Sequence, residues 1–141
     1  MQVDRRIAKG QVVPLLFQQA AVAANQTDEQ LPVVEVGTSP SLVLGHIVPF
    51  AGSIIGISAI LDSAGSAGAL AVGATIGGTE HADTLLSFTT EANLSRVVPR
   101  SKAKFAAGAE IGAEITTDAS WNGTASDLAV IVWVLIELEG I

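Results

Sequence analysis

A chain of 141 residues is one domain's worth, long enough to bury a core without covalent staples. It has no cysteine, which excludes disulfides, thiolate-held metals and thiol catalysis. Only 15% of its residues are charged against 49% hydrophobic, and the net charge is −7. Much of its surface must therefore be uncharged, covered either by small residues or by other subunits.

The seven basic residues fall in two short stretches, Arg5, Arg6 and Lys9 at the start and Arg96, Arg100, Lys102 and Lys104 late in the chain. Between residues 10 and 95 there is no lysine or arginine. A body so uniformly acidic argues against a nucleic-acid partner, which needs a basic surface. The longest apolar run, Leu128 to Ile136, is half of the roughly 20 residues that a membrane-spanning helix needs. No membrane partner is expected. The N-terminus carries basic residues followed by Val12 to Phe17, but Gln18-Gln19 interrupts that short apolar run, so it does not read as a signal peptide.

In chain order, residues 1–29 differ from the rest. Leu15 to Ala24 could make a short helix limited by Pro14, or Gln11 to Phe17 could be an extended strand. The segment is too short for a core of its own and too apolar to float in water. It is expected to be an N-terminal arm laid over neighbouring subunits, with Arg5, Arg6, Lys9, Val12, Val13, Leu15, Leu16 and Phe17 as contact residues. Packing on its own domain is the alternative.

From residue 30 the signals are those of short strands with glycine, proline, serine and aspartate punctuation. Strands are expected over Leu31 to Val36, where Pro32 marks an edge, then Leu42 to Val48 and Ser53 to Leu61. Ala69 to Ile76 alternates cleanly, with Leu70, Val72, Ala74 and Ile76 on one side and small residues on the other. Gly77-Gly78-Thr79 is the next turn. Thr84 to Thr89 and Arg96 to Phe105 are weaker strands. Ala109 to Thr116 alternates again, with Ile111, Ala113 and Ile115 inward and Glu110, Gly112 and Glu114 outward as solvated glutamates. Leu128 to Leu138 is apolar on both faces, so something must cover Ile131, Trp133 and Leu135. These three are expected to form a subunit interface in a closed homo-oligomer. About eight strands over residues 30–141 mean an all-β fold, a β-sandwich of jelly-roll type with an extended N-terminal arm.

The sequence offers little chemistry. His46 reads as a strand histidine and His81 as a turn residue; Glu80, His81 and Asp83 could suggest a metal, but neighbours in a turn seldom converge on one ion. There is no nucleophile elbow, phosphate loop or dinucleotide fingerprint. Glu110 and Glu114 are the best carboxylate pair, yet six aromatics in all make a poor sugar-binding cleft. The sequons at Asn25, Asn93 and Asn122 matter only in a glycosylating pathway. Arg96, Arg100, Lys102 and Lys104 share one parity and would line one strand face if Pro99 did not interrupt them. No enzyme, metal or cofactor is expected.

One pattern covers perhaps two-thirds of the chain: Pro49-Phe50-Ala51-Gly52-Ser53-Ile54-Ile55-Gly56-Ile57-Ser58, Gly68 to Val72, Phe105 to Gly112, Thr116 to Trp121, and Asp127-Leu128 leading into the last strand. It resembles the compact trimeric β-domains of tailed-bacteriophage virion proteins, capsid decoration (cement) proteins and head fibres above all. It is also similar to exosporium and tumour-necrosis-factor-like trimer heads. The resemblance implies a homotrimer, made in the host cytoplasm, that docks on the outer surface of a phage head. Its arm would reach over the major capsid protein. The second possibility is a head-fibre or receptor-binding tip for cell-surface glycan, with Trp121 beside Asn122-Gly123 as the aromatic contact.

Overall fold

The computed structural model describes residues 10–33 and 44–137, and is almost wholly β. In chain order the strands are β1 (Gln11–Gln19), β2 (Glu29–Gln30), β3 (His46–Val48), β4 (Gly52–Leu61), β5 (Leu70–Ile76) and β6 (Thr79–Glu80). A 3-10 turn at Ala82–Thr84 leads to β7 (Leu86–Phe88), β8 (Asn93–Val97), β9 (Ala103–Phe105), β10 (Ala109–Thr117) and β11 (Leu128–Ile136). Every pairing is antiparallel. One sheet runs β1-β11-β4-β8, with β9 beside the start of β4. The second runs β2-β10-β5-β6, with β3 on the other end of β10 and β7 beside β5. This is a jelly-roll-like β-sandwich.

The alternating residues meet as their period requires. Leu70, Val72 and Ala74 of β5 and Ile111, Ala113 and Ile115 of β10 face inward from the second sheet, all buried. Leu128, Val130, Val132 and Val134 of β11 and Ile54, Ile57, Ala59 and Leu61 of β4 face them from the first. Period two holds along β4 only because of a bulge. Trp133 pairs with Gly56 but Val134 with Ile54, which leaves Ile55 as an extra residue. The Ile55 carbonyl then accepts from the Val98 amide at 2.9 Å.

The largest correction concerns the arm. Residues 10–30 belong to this domain. β1 pairs with β11 over all nine of its residues. Its odd positions Val13, Leu15 and Phe17 turn toward the core, where Phe17 is fully buried and Leu15 nearly so. The helix considered for Leu15 to Ala24 does not form, because β11 needs a partner along its edge and β1 alternates to fit. Pro14 is no obstacle. The Gln18 amide reaches the Pro32 carbonyl at 3.0 Å, so the even positions of β1 point away from β11, where Pro14 has no ladder donor to lose. Arg5, Arg6 and Lys9 lie outside the described residues, as do residues 34–36 and 42–43 of two expected strands.

The rest of residues 20–33 wraps the sandwich end. Val22 is fully buried, and its carbonyl accepts from the Trp121 indole N–H at 3.2 Å. Arg96 to Phe105, read as one strand, is split into β8 and β9 around Pro99. Two turns show why glycine is needed. Gly77 and Gly78, at φ 60° and 82°, make the tight β5–β6 connection, whose right-handed twist demands positive φ at both positions. Gly68, at φ 77°, abuts the Trp121 backbone amide, and Asp118 and Asn122 hold the same turn by accepting from the amides of Ala69, Ser66 and Ala67. Gly68→Ala should therefore lower stability by about 2–4 kcal/mol, combining left-handed strain with a backbone clash. Chemical denaturation would measure it, and an unchanged midpoint would contradict this account of the turn.

Candidate association surface

The outer faces of the two sheets differ in chemistry. On the first sheet the register places Val12, Pro14 and Leu16 of β1 beside Leu135, Trp133 and Ile131 of β11. Next come Gly56, Ser58 and Ile60 of β4, and then Val97 and Ser95 of β8. Val97 is 85% exposed, Ile60 55%, Val12 52% and Leu16 47%, apolar surface that the other described residues leave uncovered. Ile131, Trp133 and Leu135 are half-buried among them. Trp133 donates its indole N–H to Ser58 Oγ at 3.1 Å, so the one large polar group on the face is already satisfied. Trp133, Gly56, Ser58, Ser95 and Val97 border a shallow depression of about 250 Å³. Among the described residues, the one charged side chain that the strand register puts on this face is Lys104, opposite Ser53 at its end.

The strand register thus gathers Ile131, Trp133 and Leu135 with Val12 and Leu16 onto one surface. Val13, Leu15 and Phe17, expected as contact residues for a neighbour, are directed into the core instead. The exposed edge strand was legible as apolar at every other position; what hid its role was that both of its faces are apolar. Sequence inspection also missed Val97 and Ile60, isolated apolar residues that become a patch only through the β4–β8 pairing.

The second sheet presents acid. Glu110 and Glu114 do lie on its outer side, but only Glu110 is solvated. Glu114 is 5% exposed. It sits opposite Gly73, over which Glu80 also folds, and Gln30 donates to its carboxylate at 2.9 Å. Burial, then the hydrogen bond and charge of Glu80, then the charge of Asp28, push its pKa up from 4.5 to about 7, against a smaller lowering by Gln30. Glycine at position 73 makes room for this: a β-carbon there would collide with the Glu80 carboxylate.

The remaining candidates are structural. The His46 ring stands edge-on to Phe17 with centroids 5.3 Å apart. His81 caps the 3-10 turn by accepting from the Asp83 amide at 3.4 Å. Among the described residues no three histidine or carboxylate groups cluster as metal ligands. The basic cluster does not share a face. Arg96 pairs opposite the inward-facing Ile57 and donates to the Leu85 carbonyl, Arg100 binds Glu137 at 2.8 Å, and Lys104 lies opposite Ser53 on the outer side. Pro99 ends β8 before the parity can continue. Trp121 is 2% exposed, packed against Gly65 and Gly123, so it cannot serve as the glycan platform expected of it.

No protein-family model matches the sequence, and no curated protein matches it. Among solved structures, the chain is similar to one from an Israeli acute paralysis virus full particle heated to 63 degrees. The identity is 6% and the TM-score 0.38, over 99% of this chain and 75% of that one. It is also similar to one from Desmodium yellow mottle tymovirus, at 11% identity and a TM-score of 0.35, over 91% of this chain and 81% of that one. At such scores neither carries a conclusion about this chain, and its function is argued from its own residues.

Proposed function

We propose that this chain is a structural virion protein, a homotrimeric decoration protein that binds the outer surface of a phage head and stabilises it. The observation that carries the reading is the largely apolar outer face of the β1-β11-β4-β8 sheet, charged only at its ends, by Lys104 at one and by Asp62 and Asp127 at the other, which favours a working state in which other protein covers it. The phage setting comes from the sequence resemblance. Stabilisation by such a protein is additive. Each copy binds the assembled shell and not its separated parts, so every contact raises the cost of opening the particle.

Arg5, Arg6 and Lys9 are the residues we assign to the major capsid protein, as a basic tip ahead of β1 on an otherwise acidic body. Because β1 is integral to the fold, the test must stop short of it. A protein comprising residues 10–141 should keep its melting temperature and its mass in solution but bind parent particles at least ~10-fold more weakly, since exposed charge contacts of about 0.5–1 kcal/mol each are lost. Co-sedimentation with particles reads this out. Full binding by the shortened protein would remove the basic tip from the function; no binding by the complete chain would remove the decoration role. The glycan-tip alternative loses its aromatic contact with the burial of Trp121.

A further inference from the structure

We propose that the outer face of the β1-β11-β4-β8 sheet is the seat of a second copy of this chain, with Val97 and Ile60 as its projecting contacts. This rests on the reading above only in taking the face as covered; because packing through one self-complementary face closes with two copies, it puts a twofold pair in place of the threefold that the sequence resemblance implies.

Charge selects the partner. The chain carries −7, and Glu80, Glu110 and Glu114 lie on the other sheet's outer side. When two copies meet through their largely apolar faces, which carry charge only at the ends, the acidic faces end up outermost, separated by three sheet-to-sheet spacings of about 10 Å each. That is well beyond the screening length of about 8 Å at physiological salt, so self-repulsion is largely silenced. A basic partner would be drawn to the acidic sheet instead, and an acidic one has only Lys104 to meet here.

Shape and size agree. Projecting Val97 and Ile60 share the face with the depression over Gly56, which has no side chain to fill it, so one copy carries both knob and hole. Four strands about 4.8 Å apart and up to about nine residues long present on the order of 500 Å². Two such faces bury about 1,000 Å², the lower bound for a specific interface.

The edges point the same way. At the open side of β1, Pro14 has no N–H, the Gln18 amide is taken by Pro32, and His46 Nε2 lies 3.5 Å from the Leu16 carbonyl. Strand addition is disfavoured along that edge.

The test is the mass in solution of the full chain, without particles, by sedimentation equilibrium over micromolar concentrations. Wild type should be a dimer of the 14.4 kDa chain, and a trimer would overturn the face-to-face pairing. The double variant Val97→Lys, Ile60→Lys should be a monomer, its association weakened roughly 100-fold or more. Its thermal melt at high dilution should match that of wild-type monomer, because both side chains are more than half exposed. Glu110→Gln, on the acidic sheet, should leave the mass unchanged. A wild type that stays monomeric overturns the proposal, as does a double variant that keeps the full mass. A monomeric wild type whose particle binding is lost in the double variant also overturns it, by making the shell the occupant. That outcome would leave the decoration reading standing.

Discussion

A chain that starts at Ala20 should not fold. Its far-UV circular dichroism should lack a strand signal and its urea titration a cooperative transition, whereas residues 10–141 should unfold as the complete chain does. The cause is β1. It supplies nine cross-strand positions to β11, and without it β11 becomes an edge with Val130 and Val132 uncovered on one side. Phe17 alone makes the point. It is fully buried, in contact with the His46 ring and aligned with Val130. Phe17→Ala should cost about 3–5 kcal/mol, the usual loss for a buried aromatic replaced by a cavity. Set against a total stability of about 5–15 kcal/mol, that is a large part of the fold from one residue. The measurement is the urea midpoint at constant slope. A cooperative transition in the chain starting at Ala20 would show β1 to be a detachable arm after all.

That expectation reverses the sequence-based one, and the reason is physical. In β5 and β10 one face is apolar and the other small or polar, so period two is visible and the inward residues were identified correctly. In β1 and β11 both faces are apolar. An alternating pattern then disappears, and what remains is a run of hydrophobic residues that suits an arm, a helix or a doubly covered strand. Apolar content showed that Ile131, Trp133 and Leu135 needed cover. It could not show that Val12, Pro14 and Leu16 would lie in register beside them, because pairing between residues more than a hundred positions apart leaves no local trace. Val97 and Ile60 were hidden likewise, because they share a face only through the β4–β8 pairing. Trp121 failed differently. The turn residues around it suggested an exposed loop, but Gly65 and Gly123 leave room for the indole to pack against the chain. Pro99, by contrast, is a local signal: it breaks the basic stretch, and the parity of Arg96 and Lys104 breaks with it.

Stability should fall as pH rises from about 5 to 8, and Glu114→Gln should remove most of that slope. Among the described residues Glu114 takes part in no ion pair. The carboxyl groups of Glu80 and Asp28 oppose its charge, Gln30 is its one neutral donor, and the chain has no lysine or arginine between residues 10 and 95 to place nearby. In the folded protein its pKa is raised to about 7, against 4.5 when exposed. Below about pH 4.5 both states hold the proton and the group is neutral to stability. Between the two values the folded state binds the proton and the unfolded state releases it, so each rise in pH favours unfolding. Above about pH 7 both are ionised and the full penalty is present, on the order of 3 kcal/mol. Glu91 acts in the opposite sense and in another window. The amide of Thr89, with further hydrogen bonds at Thr89 and Thr90, holds its carboxyl below the usual value, so its contribution is lost only as pH falls below about 4.5. The two effects therefore separate on a plot of urea midpoint against pH. Gln at position 114 keeps the shape of the side chain, can still accept from Gln30 and can donate to Glu80 without a charge to bury. The variant should be more stable than wild type at pH 8 and close to it at pH 4.5. An unaltered slope in Glu114→Gln would place the proton elsewhere, and a variant less stable than wild type at pH 8 would mean that the carboxylate is held in place by an attraction this sheet does not contain.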